Sequence, residues 1–213
     1  FLGTKKYPEE GAYSEFIQTN GGQTNAYTTG DATVYMFSIN NDSFSQALDR
    51  FSQFFIHPLL SASGVDREKN AVHQEYAKNL ENDDWRQMHV LKALSNPEHP
   101  NSRFSIGNLT TLANATPENL RQWYEKHYSS DGMTLVIYSN QSIDKLKKLV
   151  LEDFSDVPKR NTEKLELPSP CLSPSFRGKI CYIEPIKDIK ELVLNWELPQ
   201  KFNTYENWIN FRG

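Results

Sequence analysis

Two cysteines, Cys171 and Cys181, are all that 213 residues contain. They cannot build a disulfide framework, they lack the spacing of a zinc finger, and they leave the redox compartment open. No stretch approaches 18 consecutive apolar residues, so no segment has the pattern of a membrane-spanning helix. Basic residues are not in excess. Lys and Arg number 23 against 27 Asp and Glu, a formal net charge of −4, which argues against a nucleic-acid partner. The histidines His57, His73, His89, His99 and His127 form no H-x-x-x-H or H-E-x-x-H pair. There is no G-x-S-x-G elbow, phosphate loop or dinucleotide fingerprint, and no short repeat or low-complexity tract.

What is present is bulky core material, 12 Phe, 10 Tyr and 4 Trp, arranged at regular spacings. A helix is predicted from near Pro8, carrying Tyr13, Phe16 and Ile17, and stopped by Gly21-Gly22. Residues 24–28 and 33–39 have the pattern of strands, with Gly30-Asp31 as the turn between them. Asp42 or Ser43 caps a helix with Phe44, Ala47, Leu48, Phe51, Phe54 and Phe55 at three- and four-residue spacing, ended by Pro58. A long helical stretch over 64–94 is broken near Asn82-Asp83-Asp84. Thr116-Pro117-Glu118 starts another helix, with Leu120, Trp123, Tyr124 and His127 on its apolar face. The run 133–138 fits a buried strand. Ser142 caps a helix whose inward positions are Ile143, Leu146, Leu149, Val150 and Phe154. Strands are also predicted at 178–183 and 191–196. Helices alternating with tight strand pairs predict an α+β fold, a two-layer sandwich with helices on one face of a mainly antiparallel sheet.

Candidate chemistry concentrates on the helix around residues 67–76. At about 100° per residue, Val65, Val72 and Tyr76 fall on one line, with Glu68 and Glu75 roughly 40–80° to its side. Two carboxylates thus border the predicted buried stripe, where they need a cation, a donor or a metal. Ordinary surface glutamates on a charged helix are the competing reading. His73 cannot join Glu75, because two residues on a helix differ by about 200°. Glu68 and Glu75 are about 10 Å apart along the axis, too far to share one zinc. One can ligate while the other supports. The residues in hand do not make a complete active site.

Phe1-Leu2-Gly3-Thr4-Lys5-Lys6-Tyr7-Pro8 and Gly22-Gln23-Thr24-Asn25-Ala26-Tyr27-Thr28 resemble the insulysin/pitrilysin branch of the M16 metallopeptidases. So do Asp66-Arg67-Glu68 through Glu75, Asn96-Pro97-Glu98-His99-Pro100, Phe104 and Gly107-Asn108, Tyr128-Ser129-Ser130, Ile186-Lys187-Asp188 and the run 192–196. Residues 203–208, beyond Pro199, do not match the expected continuation. The resemblance implies an inverted zinc motif, H-x-x-E-H, immediately ahead of the segment matching Phe1. It would supply two histidine ligands and the glutamate general base. Glu75 matches the family's third Zn2+ ligand, and Glu68 the carboxylate that supports a ligand histidine from behind. A zinc-activated water would then attack a peptide carbonyl. The strand at 24–28 matches the edge where a peptide substrate adds as an extra strand, with Asn25 and Ala26 as backbone partners. Tyr27, Phe1 and Trp85 would line a side-chain pocket, with plain core packing as the alternative.

On this reading residues 1–157 are most of an N-terminal peptidase domain. Residues 158–176, rich in proline, form a linker, and 177–213 begin a second M16-like domain. A start at Phe1 and a stop at Gly213 suggest a piece of a longer polypeptide, whose remainder would be this chain's partner. The implied function is zinc metalloendopeptidase activity on short or unfolded peptides, with the piece alone inactive and unable to hold zinc tightly. The alternatives are a non-catalytic subunit of the same fold and an unrelated peptide-binding module.

Overall fold

Glycine decides how the first helix hands over to the first strand. Helix α1, Ala12–Thr19, is followed by Gly21 at φ 71°, a left-handed conformation that a side chain disfavours. A Cβ on Gly22 would stand 2.1 Å from the Ser38 carbonyl oxygen, so only glycine lets the chain enter the sheet there. Strand β1, Gln23–Thr28, then pairs antiparallel with β2, Thr33–Ser38, in the register Gln23↔Ser38 to Thr28↔Thr33. These features belong to a computed structural model that describes residues 3–30, 32–103, 105–162 and 170–197. Phe1, Asp31 of the expected turn, Phe104, part of the predicted linker and residues 198–213 lie outside the described residues.

The remaining helices are α2, Phe44–Ile56; α3, Ala62–Asn79; α4, Asp83–Ala93; α5, Pro117–His127; and α6, Ile143–Phe154. Their starts follow local chemistry. The Asn82, Thr116 and Ser142 side chains accept hydrogen bonds from first-turn amides of α4, α5 and α6, satisfying donors that a helix N-terminus leaves open. Asn82 therefore breaks the long helical stretch into α3 and α4.

The chain divides into two units, residues 1–71 with 108–164, and residues 72–107 with 165–213. In the first, Tyr13 and Ile17 of α1 and Ala47 and Phe51 of α2 form the buried centre. Phe16, Tyr35, Phe37, Ile39, Phe54, Phe55 and Phe154 pack around it. The rings meet edge-on or tilted, as Tyr13 with Phe54 at 5.0 Å and Phe51 with Phe55 at 5.2 Å, the geometry that ring quadrupoles favour. Burial pushes the Tyr13 hydroxyl up to about 12. In the second unit α4 has no buried residue, and α3 has none beyond Val65.

The chain is a mixture of helices with, among the described residues, one two-stranded antiparallel sheet. The larger sheet of the expected sandwich is not seen there. Residues 133–138, 178–183 and 191–196 carry no strand ladder among the described residues, and Val136 and Leu192 are 83% and 81% exposed. Apolar alternation marks a segment able to pair, and a ladder needs a neighbour to complete its hydrogen bonds. Two helix faces also differ from expectation. Trp123 and His127 lie exposed on α5 with their rings 4.7 Å apart, and Ile143 is exposed on α6. Each helix meets its unit over a narrower stripe than its apolar content allows, led by Tyr124 on α5 and Phe154 on α6.

A polar cluster joins the segment after Gly3 to α2. Asp49 accepts hydrogen bonds from Lys6 Nζ (2.7 Å) and the Tyr7 hydroxyl (2.6 Å). Burial alone would raise the Asp49 pKa, but these two donors outweigh it and hold it below the usual carboxylate range. Asp153 of α6 has a buried Oδ2 with no partner among the described residues. Burial first, then the nearby Asp49 charge, push it up to about 6. A carboxyl whose folded pKa exceeds its unfolded value opposes folding only when ionised. Its cost is absent below about pH 4, grows between about pH 4 and 6, and is constant above that. Asp153→Asn should therefore leave the melting temperature unchanged at pH 4. At pH 8 it should raise it by a few degrees, about 1 kcal/mol after solvent screening. Thermal unfolding at the two pH values checks this, and an equal shift at both would remove the titration as its cause.

Candidate functional site

Helix α3 carries both glutamates. It starts after Leu60, whose φ of 50° is costly for a branched residue. Neighbours hold that turn: Leu59 N–H donates to the Gly3 carbonyl at 3.2 Å, and Arg121 Nη2 donates to the Leu59 carbonyl at 2.8 Å. Val65 is 2% exposed, while Val72 and Tyr76 farther along are half-buried.

Glu68 and Glu75 are both exposed, and neither has a hydrogen-bond or ion-pair partner among the described residues. The neighbouring cations are occupied elsewhere. Arg67 pairs with Glu10, and Lys69 donates to the Ala115 carbonyl at 3.4 Å and faces Asp66 at 3.9 Å. Two carboxylates on one helix, about 10 Å of rise apart, are thus open to an outside ligand. Their exposure removes the desolvation cost that burial in a stripe would impose.

As a metal centre the donor set is incomplete. Among the described residues, three or more His, Cys, Asp or Glu side chains nowhere come together to hold an ion. Glu75 offers one carboxylate, where a catalytic zinc takes three protein ligands. His73 is half-buried, with Nδ1 out of contact with water and unpartnered among the described residues.

Strand β1 places Asn25, Ala26 and Tyr27 in a row. Thr29 N–H donates to the Ala32 carbonyl at 2.8 Å. The alternation of antiparallel pairs then makes 27↔34 and 25↔36 the hydrogen-bonded pairs in this register. Asn25 and Tyr27 direct their backbone groups to β2, whereas Thr24, Ala26 and Thr28 direct theirs to the other edge of β1. The Asn25 side chain adds a local cap, its Oδ1 accepting from Ala26 N–H at 2.9 Å. Tyr27 is 51% exposed and shares a face with Val34 and Met36. Trp85 lies half-buried in the first turn of α4, and Phe1 lies outside the described residues.

Two polar features escaped the sequence reading. One is the cluster of the adjacent Lys6 and Tyr7 with Asp49 and Asp153, which come from distant parts of the chain. The other is Asp83, whose carboxylate accepts from Ile186 N–H at 2.9 Å and Lys187 N–H at 3.0 Å. The Asn82-Asp83-Asp84 run signalled a helix break, and Asn82 alone accounts for the cap, so an acidic residue to spare was the one available hint.

Comparison with known proteins gives a consistent result. The family model described as insulinase (peptidase family M16) matches residues 1–104, and the peptidase M16 inactive domain matches residues 114–210, carrying the likeness past Pro199. The chain is 36% identical over 213 residues to the putative zinc protease mug138 of Schizosaccharomyces pombe, covering 97% of this chain and 22% of that protein. It is 41% identical over 197 residues to the insulin-degrading enzyme of Mus musculus, covering 89% of this chain and 19% of the enzyme. The crystal structure of pitrilysin superimposes with a TM-score of 0.76 at 34% identity, over 81% of this chain and 19% of that one. The chain spans about a fifth of the length of these relatives.

Proposed function

The chain belongs to the M16 insulinase family of peptidases, and from that premise we propose that it is part of a zinc metalloendopeptidase acting on short or unfolded peptides. The observation that carries this reading is the pair of exposed, unpartnered carboxylates of α3, set two turns apart while the cations beside Glu68 are engaged elsewhere. Glu75 is the metal ligand. Glu68 orients a ligand histidine, accepting its ring N–H and so holding its tautomer. When bound, zinc supplies the Lewis acidity that makes a water nucleophilic near neutral pH.

The substrate peptide lies along the outward edge of β1, where Ala26 offers its backbone N–H and carbonyl. The Asn25 side chain leaves the Ala26 amide as the peptide carbonyl takes its place, and Tyr27 contacts a substrate side chain. This reading calls for a sandwich of helices over a mainly antiparallel sheet in residues 1–157. A second domain of the same kind opens from residue 177, and the rest of the polypeptide serves as partner.

The decisive test is the coding sequence ahead of Phe1. An intact H-x-x-E-H motif is expected there, together with cleavage of an unstructured peptide that chelation abolishes and added zinc restores. A motif with a histidine or the glutamate replaced would overturn the peptidase and leave a non-catalytic subunit of the same family.

A further inference from the structure

Little apolar burial holds the corner between α3 and α4. Among the described residues none of α4 is buried, and neither is any residue of α3 from Asp66 onward. Helices without a buried face keep their position only through other contacts. Polar contacts to residues 170–197 are prominent among them here.

At the start of α4 the two Asp83 carboxylate oxygens accept the consecutive Ile186 and Lys187 amides, and Arg86 Nη2 donates to the Glu184 carbonyl at 3.0 Å. Charge-assisted bonds of this kind are the stronger class, and the two amides hold the Asp83 pKa below the usual carboxylate range. One turn on, Gln87 Nε2 reaches Glu191 Oε2 at 3.5 Å. Past the end of α4, Asn96 N–H donates to the Cys171 carbonyl at 2.7 Å, and its side chain donates to the Pro170 carbonyl at 3.1 Å. Glu197 repeats the motif of Asp83, accepting the consecutive Cys171 and Leu172 amides at 2.6 and 3.2 Å.

The segment is thus fastened near both ends of α4, almost wholly through its backbone. We propose that residues 170–197 are a strap holding the α3–α4 corner, that Asp83 is its anchor, and that Asp83 is thereby a positioning residue for Glu75. The last step rests on the reading of Glu75 as a zinc ligand. Glu75 stands one turn before the end of α3, and Leu80–Asn82 is a tight turn closed by Leu80 N–H to Ala77 and Asn82 N–H to Asn79. Displacement of the corner is carried directly into that last turn.

Hydrogen exchange on the full-length polypeptide tests the strap without needing activity. In Asp83→Ala the Ile186 and Lys187 amides should exchange at least about tenfold faster, and so should the amides of residues 76–79. Core amides of Ile17 and Phe51 should keep their protection, which separates release of the strap from general unfolding. Asp83→Asn, with one acceptor oxygen in place of two, should give an intermediate result. Zinc affinity should fall in the same order, most in the alanine variant. Unchanged exchange at Ile186 and Lys187 would overturn the strap. Faster exchange there with residues 76–79 unaffected would overturn the positioning role. If the unaltered protein bound no zinc, the role of Glu75 would fall instead, and the exchange data would still decide the strap.

Discussion

Glu75→Gln in the full-length polypeptide is expected to empty the zinc site and lower kcat/KM for peptide cleavage by more than about a hundredfold. Glutamine keeps the shape of the side chain and loses its charge, so it is a poor zinc ligand. A ligand substitution should exceed the 10–100-fold that supporting carboxylates are worth. The fold should not respond. Glu75 is exposed and has no protein partner among the described residues, so removing its charge leaves nothing buried and unpaired. Glu68→Gln is the graded companion, with zinc affinity lowered by roughly 10–100-fold and stability unchanged. Zinc content after dialysis, kcat/KM and the melting temperature together decide the matter. Full zinc occupancy in Glu75→Gln would take Glu75 out of the site. A loss of melting temperature equal to the loss of zinc binding would assign it a structural role instead.

Phe51→Ala is expected to produce the largest loss of stability. Phe51 is 5% exposed and touches Tyr13, Phe37 and Phe55, at centroid distances of 6.4, 5.1 and 5.2 Å. Those rings come from α1, β2 and α2, so one side chain ties together every element of the buried centre. Truncation removes its transfer free energy and leaves a cavity walled by rigid rings that relax poorly, about 3–5 kcal/mol. In a chain of this size that corresponds to roughly 6–20 °C in melting temperature. Leu151→Ala on the exposed side of α6 should change stability by less than about 0.5 kcal/mol. Chemical denaturation of both variants checks the contrast. A loss below about 1 kcal/mol for Phe51→Ala would mean that the aromatic centre repacks freely.

The same contrast explains which elements could be anticipated. Helix α2 was legible because its phenylalanines recur at three and four residues and Pro58 follows its end, whereas the expected Asp42 or Ser43 cap is not formed, the Ser43 hydroxyl donating instead to Asn20 Oδ1. The hairpin was legible because Gly30 lies between two alternating runs whose register a short turn dictates. Helix starts at Thr116 and Ser142 followed from capping, a bond between a side chain and an amide three residues on. Residues 133–138, 178–183 and 191–196 have the pattern of strands and carry no ladder among the described residues. Their alternation shows only the capacity to pair, and the partner is a matter for distant parts of the chain. Trp123, His127 and Ile143 show the same limit on helices, because periodicity marks a stripe and only packing decides how much of it is covered.

At the site the division is equally physical. Local helix geometry alone places Glu68 and Glu75 too far apart to share an ion and turns His73 away from Glu75, because rotation and rise per residue are constants of the backbone. Their freedom from partners was decided by tertiary structure, which sends Arg67 to Glu10 and Lys69 to the Ala115 carbonyl. The hydrogen-bonding phase of the hairpin, which the apolar alternation alone does not reveal, turns the Ala26 backbone and not that of Asn25 to the outward edge of β1. The bonds of Asp83 to residues 186 and 187, more than 100 positions away, could come only from tertiary structure. Periodicity, caps and turns are settled within a few residues of one another. A hydrogen bond or a buried ring depends on which distant residue arrives beside it.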